Sequence, residues 1–236
     1  MAARPHLTLV LLVAFAALLA VAPGIRPARA EDKWEKHWHD RVAAFARENA
    51  ALAADRKSAV FVGDSITEGF PLEKHFAGKP VLNRGIVADR IGNVGERGVL
   101  RRLDESVFDC RPAVVFILIG VNDLAASPRP PELYVEGFAT LVDRIRERLP
   151  KVKVVVQTCL PVGRKYGRHA TLNPRIVAYN EGLRALAKAR GLTLVDLHKL
   201  YRDAEGFLPD DLSNDGLHLK REGFAKWAEA VRPLIP

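Results

Sequence analysis

Five short stretches of the chain are apolar almost without interruption, and most of them stop at turn-forming residues. They are Ser58–Val62 before Gly63-Asp64, the shorter Pro80–Asn83 before Arg84-Gly85, Ala113–Ile119 before Gly120, Val152–Gln157 before Pro161, and Thr193–Leu197 following Gly191. A strand with one wet face would alternate polar and apolar residues, so continuous runs predict parallel strands covered on both faces. Between them, apolar positions recur at three- and four-residue spacing. Trp34, Trp38, Val42 and Phe45 predict an amphipathic helix over roughly 32–54, and Phe138, Leu141, Val142, Ile145 and Leu149 predict another. Ile176, Tyr179, Leu183 and Leu186 predict a third, with Asn173-Pro174 as its N-cap and first residue, and a last helix is expected over Arg221–Val231. Strand then helix, repeated about five times, predicts an α/β fold around a central parallel sheet of about five strands. In such sheets ligands bind beyond the carboxyl ends of the strands near the topological switch point, so functional residues are expected just after the strands.

The first thirty residues break this pattern. Leu7 to Ala22 is apolar except for Thr8, follows Arg4, and is succeeded by Pro23-Gly24 and by the small-x-small triplet Ala28-Arg29-Ala30. A membrane span needs about 20 apolar residues, so residues 1–30 are expected to be a cleaved secretory signal and 31–236 a single domain that is secreted or periplasmic, with no stable membrane span after cleavage. An uncleaved anchor and a cut at Ala20-Val21-Ala22 are the alternatives.

Without Arg4, Arg26 and Arg29, the net charge of +8 falls to +5. The basic residues are interspersed with acids, as in Asp143-Arg144-Ile145-Arg146-Glu147-Arg148, which reads as a solvated helix face and not as the one-sided basic stripe of a nucleic-acid binder. With 48% hydrophobic and 27% charged residues the chain is of ordinary globular composition. Its two cysteines do not make a disulfide scaffold, and zinc-ligand spacings are missing. Cys110 precedes one predicted strand and Cys159 follows the next, which puts them ~20 Å apart in adjacent parallel strands. A bridge needs Cα atoms within about 7 Å, so two free, buried thiols are expected.

Candidate chemistry lies at the strand ends. Ser65, in Gly63-Asp64-Ser65-Ile66-Thr67, stands where strand becomes helix. Its hydroxyl can project above the sheet and its N–H can donate to a developing oxyanion, unless Asp64 or Ser65 merely caps the helix. A serine nucleophile needs a base, which works best when a carboxylate fixes its tautomer. Asp215-Gly216-Leu217-His218 supplies both in a turn, and Asp196-Leu197-His198 is a competing pair whose aspartate lies within an apolar strand and which precedes a helix-like segment with no small turn residue. Asn83-Arg84-Gly85 offers a glycine N–H and Gly120-Val121-Asn122 a side-chain amide as further donors.

These four segments, in this order over about residues 58–235, resemble the SGNH hydrolase superfamily, or GDSL-type lipases and esterases, whose blocks centre on Ser, Gly, Asn and His. The branch is similar to platelet-activating-factor acetylhydrolase catalytic subunits and bacterial carbohydrate acetylesterases. The resemblance implies a flavodoxin-like three-layer α/β/α sandwich and ester hydrolysis with no cofactor or metal. It implies Ser65 as nucleophile, His218 as base and Asp215 as its partner, with Ser65 N–H, Gly85 N–H and the Asn122 amide as oxyanion hole. Two blocks depart from the pattern: Ile66-Thr67 replaces Leu-Ser or Leu-Thr, and Ile86-Val87-Ala88-Asp89 stands where relatives often carry Gly-Gly-Asp.

The expected function is that of a serine esterase cleaving short-chain acyl esters, O-acetyl groups of carbohydrates above all, through an acyl-enzyme on Ser65. Its expected partner is a small-molecule or glycan ester, because no long apolar insertion offers a lid and the loops after the strands read as short. A lysophospholipase or thioesterase, and a non-catalytic envelope carbohydrate-binding protein, are the alternatives. A histidine base predicts activity that falls near pH 6–7 on acidification. Arg84, Arg90 and Arg164 are loop candidates for an anionic substrate.

Overall fold

All five apolar runs become strands of one parallel sheet in the computed structural model, which describes residues 33–53, 55–92 and 97–236. The expected signal segment lies outside the described residues. Strands β1 (Ser58–Gly63), β2 (Val81–Gly85), β3 (Pro112–Leu118), β4 (Lys153–Gln157) and β5 (Thr193–Val195) pair in the order β2-β1-β3-β4-β5. This is the flavodoxin-like order, whose switch point lies between β1 and β3. Helices cover both faces: α1 (Lys33–Ala50), α2 (Ser65–Glu68), α3 (Leu72–His75), α4 (Val121–Ala126), α5 (Pro131–Arg148), α6 (His169–Arg190), α7 (Leu197–Tyr201) and α8 (Arg221–Val231).

The two-sided cover explains why the runs are continuous. Val60 and Val62, Val115 and Ile117, and Val154 and Val156 face α5 and α6. Their neighbours Phe61, Phe116 and Val155 face α2, α3, α7 and α8, where Trp227 and Phe70 stack at 4.4 Å. Trp38 and Phe45 of α1 form a smaller third core with Ile86.

Three expectations need correcting. Strand β5 ends at Val195, because Asp196 leaves the strand to cap α7, accepting Lys199 N–H. Helix α6 starts at His169, so Asn173 and Pro174 lie inside it. The Asn173 amide is taken up instead by both backbone groups of Val162, at 2.8 and 2.9 Å. Connections after the strands are also longer than expected: among the described residues the next helical turn after β2 begins only at Val99, and residues 158–168 lead from β4 to α6; residues 202–220 then join α7 to α8. Cys110 and Cys159 are free and buried, as expected.

Candidate active site

Backbone packing, more than side chains, sets the position of Ser65. It is the first residue of α2, immediately beyond β1, and the Asp64 carboxylate caps that helix by accepting Ile66 N–H at 3.0 Å. Capping and chemistry therefore coexist in neighbouring residues. The turn is tight: a Cβ on Gly63 would lie 2.2 Å from Thr67 Oγ1 and 2.3 Å from Leu118 O.

Asp215 and His218 arrive from the long segment before α8. Asp215 Oδ1 accepts the N–H groups of Leu217 and His218, and Oδ2 lies 2.6 Å from His218 Nδ1. His218 Nε2 in turn lies 2.9 Å from Ser65 Oγ. The three expected residues, 153 positions apart at the extremes, thus form one hydrogen-bonded chain. Partial burial works against the Asp215 charge, but hydrogen bonds from the His218 ring and from the two N–H groups outweigh it and hold the carboxyl at about 2. It stays ionised at any pH where an imidazole titrates. The competing pair is engaged elsewhere: Asp196 accepts Arg184 and Thr158, and His198 is buried in α7.

Of the expected oxyanion donors, Ser65 N–H starts a helix and so has no intrahelical acceptor. The Asn122 amide, on the first turn of α4, gives one N–H to Asp89 O at 2.9 Å, which fixes its plane and leaves the second N–H. Gly85 differs from expectation. Its N–H donates to Asn83 Oδ1 at 2.9 Å, so it is not free. Glycine is required there for space, since a Cβ would lie 2.1 Å from Glu68 N. Just beyond it, Asp89 N–H closes a turn onto Ile86 O, with Ala88 at φ +59°. A left-handed alanine is uncommon, and Ala88 N–H has no hydrogen-bond partner among the described residues. The turn carries the departure from Gly-Gly-Asp noted above, and that substitution is the only sequence signal for it.

Charged residues beneath the site are buried. Arg102 is fully enclosed and reaches Asp89 (2.8 Å), Arg84 O, Ser106 Oγ and Gly63 O. Asp123 accepts Ile91 N–H, and burial pushes its carboxyl up to about 7 despite that bond and the charge of Arg90. Asp64 is raised likewise to about 7 by burial, against the Ile66 N–H bond. The arginine candidates thin out: Arg84 lies in β2 and not in a loop, buried and paired with Glu48, and Arg164 is paired with Asp203 and Glu205. Among the described residues no cluster of His, Cys, Asp and Glu could hold a metal, and no helix is long and apolar enough to cross a membrane.

Known proteins are similar to this chain in sequence and in fold. The sequence profile of the GDSL-like Lipase/Acylhydrolase family matches residues 61–226. Platelet-activating factor acetylhydrolase IB subunit alpha1 from Pongo abelii is 29% identical over 182 residues, covering 75% of this chain and 74% of that protein. Among solved structures, a GDSL-like lipase from Bacteroides thetaiotaomicron is 25% identical with a TM-score of 0.71 over 82% of this chain and 96% of its own. The acetyl xylan esterase AlAXEase shares the fold at 19% identity, with a TM-score of 0.63 over 76% of this chain and 100% of its own. The chain belongs to the GDSL-like lipase/acylhydrolase family and is a carboxylic ester hydrolase.

Proposed function

We propose, with membership of this family as the premise, that the protein is a secreted or periplasmic esterase that removes short acyl groups, chiefly O-acetyl, from small-molecule or glycan esters. The observation that carries the reading is the chain from Ser65 Oγ to His218 Nε2 at 2.9 Å and from His218 Nδ1 to Asp215 at 2.6 Å. Ser65 Oγ attacks the ester carbonyl carbon while His218 Nε2 takes its proton; the same nitrogen returns the proton to the departing alkoxide. Water then cleaves the acyl-enzyme by the same route. Ionised Asp215 keeps the ring in the required tautomer and stabilises the imidazolium. Ser65 N–H and the free N–H of Asn122 serve as oxyanion donors, and Ala88 N–H takes the third place in preference to Gly85 N–H.

A short acyl group is supported by relatives and neighbours named for acetyl hydrolysis, a platelet-activating factor acetylhydrolase and an acetyl xylan esterase. Export is supported by the apolar run 7–22 and the Ala28-Arg29-Ala30 triplet.

Turnover of p-nitrophenyl esters from acetate to palmitate, with Ser65→Ala beside the parent protein, tests the reading. Activity confined to acetate and butyrate and absent from Ser65→Ala is expected. A long-chain preference points to a lysophospholipase or thioesterase, and equal low rates in both proteins point to a carbohydrate-binding role. N-terminal sequencing of exported protein is expected to begin at Glu31.

A further inference from the structure

The turn bearing Ala88 is held from both sides by carboxylates. On one side Glu68, three residues after Ser65 on the same helix, accepts Val87 N–H at 2.5 Å through Oε2. The Glu68 carboxylate is itself held by α1, with His37 Nε2 3.0 and 3.2 Å from its two oxygens and Arg41 Nε at 3.5 Å. On the other side the Asp89 carboxylate takes Arg102 at 2.8 Å and the Trp38 indole N–H at 3.2 Å, while its carbonyl accepts the Asn122 amide. Both neighbours of Ala88 are therefore fixed. An L-residue other than glycine is strained in the left-handed region, so a turn of this kind persists only where its surroundings hold it.

We propose that Glu68 is a positioning residue for ester hydrolysis: its carboxylate clamps the Val87–Ala88 segment so that Ala88 N–H stays aimed at the oxyanion. This rests on the Ser65 reading above. Helix α1 takes part because a bare carboxylate one helical turn from Ser65 would oppose negative charge developing on the substrate. Arg41 offsets that charge, and His37 and Arg41 together stop the side chain from swinging away from Val87. Glu68 acts through Ala88 N–H on the oxyanion as it develops, so its effect appears in the transition state and not in ground-state binding.

The test compares Glu68→Ala and Glu68→Gln in the full chain on p-nitrophenyl acetate, with Ser65→Ala as reference. It also measures inhibition by an alkyl trifluoromethyl ketone, whose adduct on serine places an oxyanion where the tetrahedral intermediate would. Glu68→Ala is expected to lower kcat about 10- to 100-fold, below or at the loss of a whole donor. KM should stay within about twofold, and ketone inhibition should weaken by the factor lost from kcat. Glu68→Gln keeps an oxygen for Val87 N–H and is expected to recover most of the rate. Unchanged kcat in Glu68→Ala, a rise in KM alone, or equal losses in Ala and Gln variants overturn the proposal. Should Glu68→Ala not fold, His37→Asn with Arg41→Met is expected to lower kcat at constant KM, and parental kcat there overturns it. Turnover that persists in Ser65→Ala means instead that the Ser65 reading has failed.

Discussion

The two halves of the site are built in opposite ways. Ser65 sits on a turn with Asp64, Gly63 and Gly85 buried around it, backed by Arg102, which is 0% exposed. Asp215 and His218 lie on a connection whose side chains are about half exposed, at 53% and 47%. That connection is held by Ser213 Oγ on Gly216 N–H, by the Ser213–Leu219 bridge and by Gly163 N–H on Gly216 O. The nucleophile is thus placed by packing that the whole fold needs, and the base by a few local hydrogen bonds. Changes to the packing around the nucleophile should register in stability and rate together; loss of the Ser65 hydroxyl itself, and changes in the second half, should register in rate alone.

The largest effects should come from the chemistry itself. Ser65→Ala and His218→Ala are each expected to lower kcat on the order of 10⁴- to 10⁶-fold with a melting temperature within about 2 °C of the parent, read by steady-state kinetics and calorimetry. A His218→Ala protein that melts much lower would break the contrast. Next, Arg102→Met leaves Asp89 buried without its cation and should cost about 3–5 kcal/mol in denaturant unfolding, with activity falling in the folded remainder. Gly85→Ala forces a methyl onto the Glu68 backbone and should cost about 1–3 kcal/mol, again with loss of rate; parental stability would show that the β2 end can shift.

The smallest effect concerns pH. Asp123 binds its proton more tightly in the folded state, at about 7, than in the unfolded chain, near its ordinary value of 3.8. Between those values the folded state holds the extra proton, so this group's contribution to stability is full below about pH 4 and is lost as pH rises toward 7. Asp123→Asn, which keeps an acceptor for Ile91 N–H, should narrow the gap in melting temperature between pH 5 and pH 8. An unchanged gap would mean that Asp123 is charged throughout.

What could be read from the chain follows the same division. Strands β1, β3 and β4 were legible because burial on both faces keeps their central positions apolar, and Ser65, Asp215 and His218 because their side chains are the chemistry. Asn173 was misread as a cap because its partner, Val162, is eleven residues away, and local spacing carries no trace of it. The Ala88 turn was hidden because alanine is not a turn-former. Glu68 went unremarked because its partner is the backbone N–H of Val87, which has no residue signature.

Helix α1 packs its own small core of Trp38, Phe45 and Ile86, separate from the cores on the two sheet faces. An element with a private core is a natural unit of partial melting. On slow heating, α1 is expected to come away before the sheet, releasing Glu68 and Asp89 together, so that ester turnover disappears at a temperature where most circular dichroism signal persists. Thermal tolerance of the enzyme would then be a property of one helix and its seat, and improving the hold of α1 would extend working life without any change to the sheet.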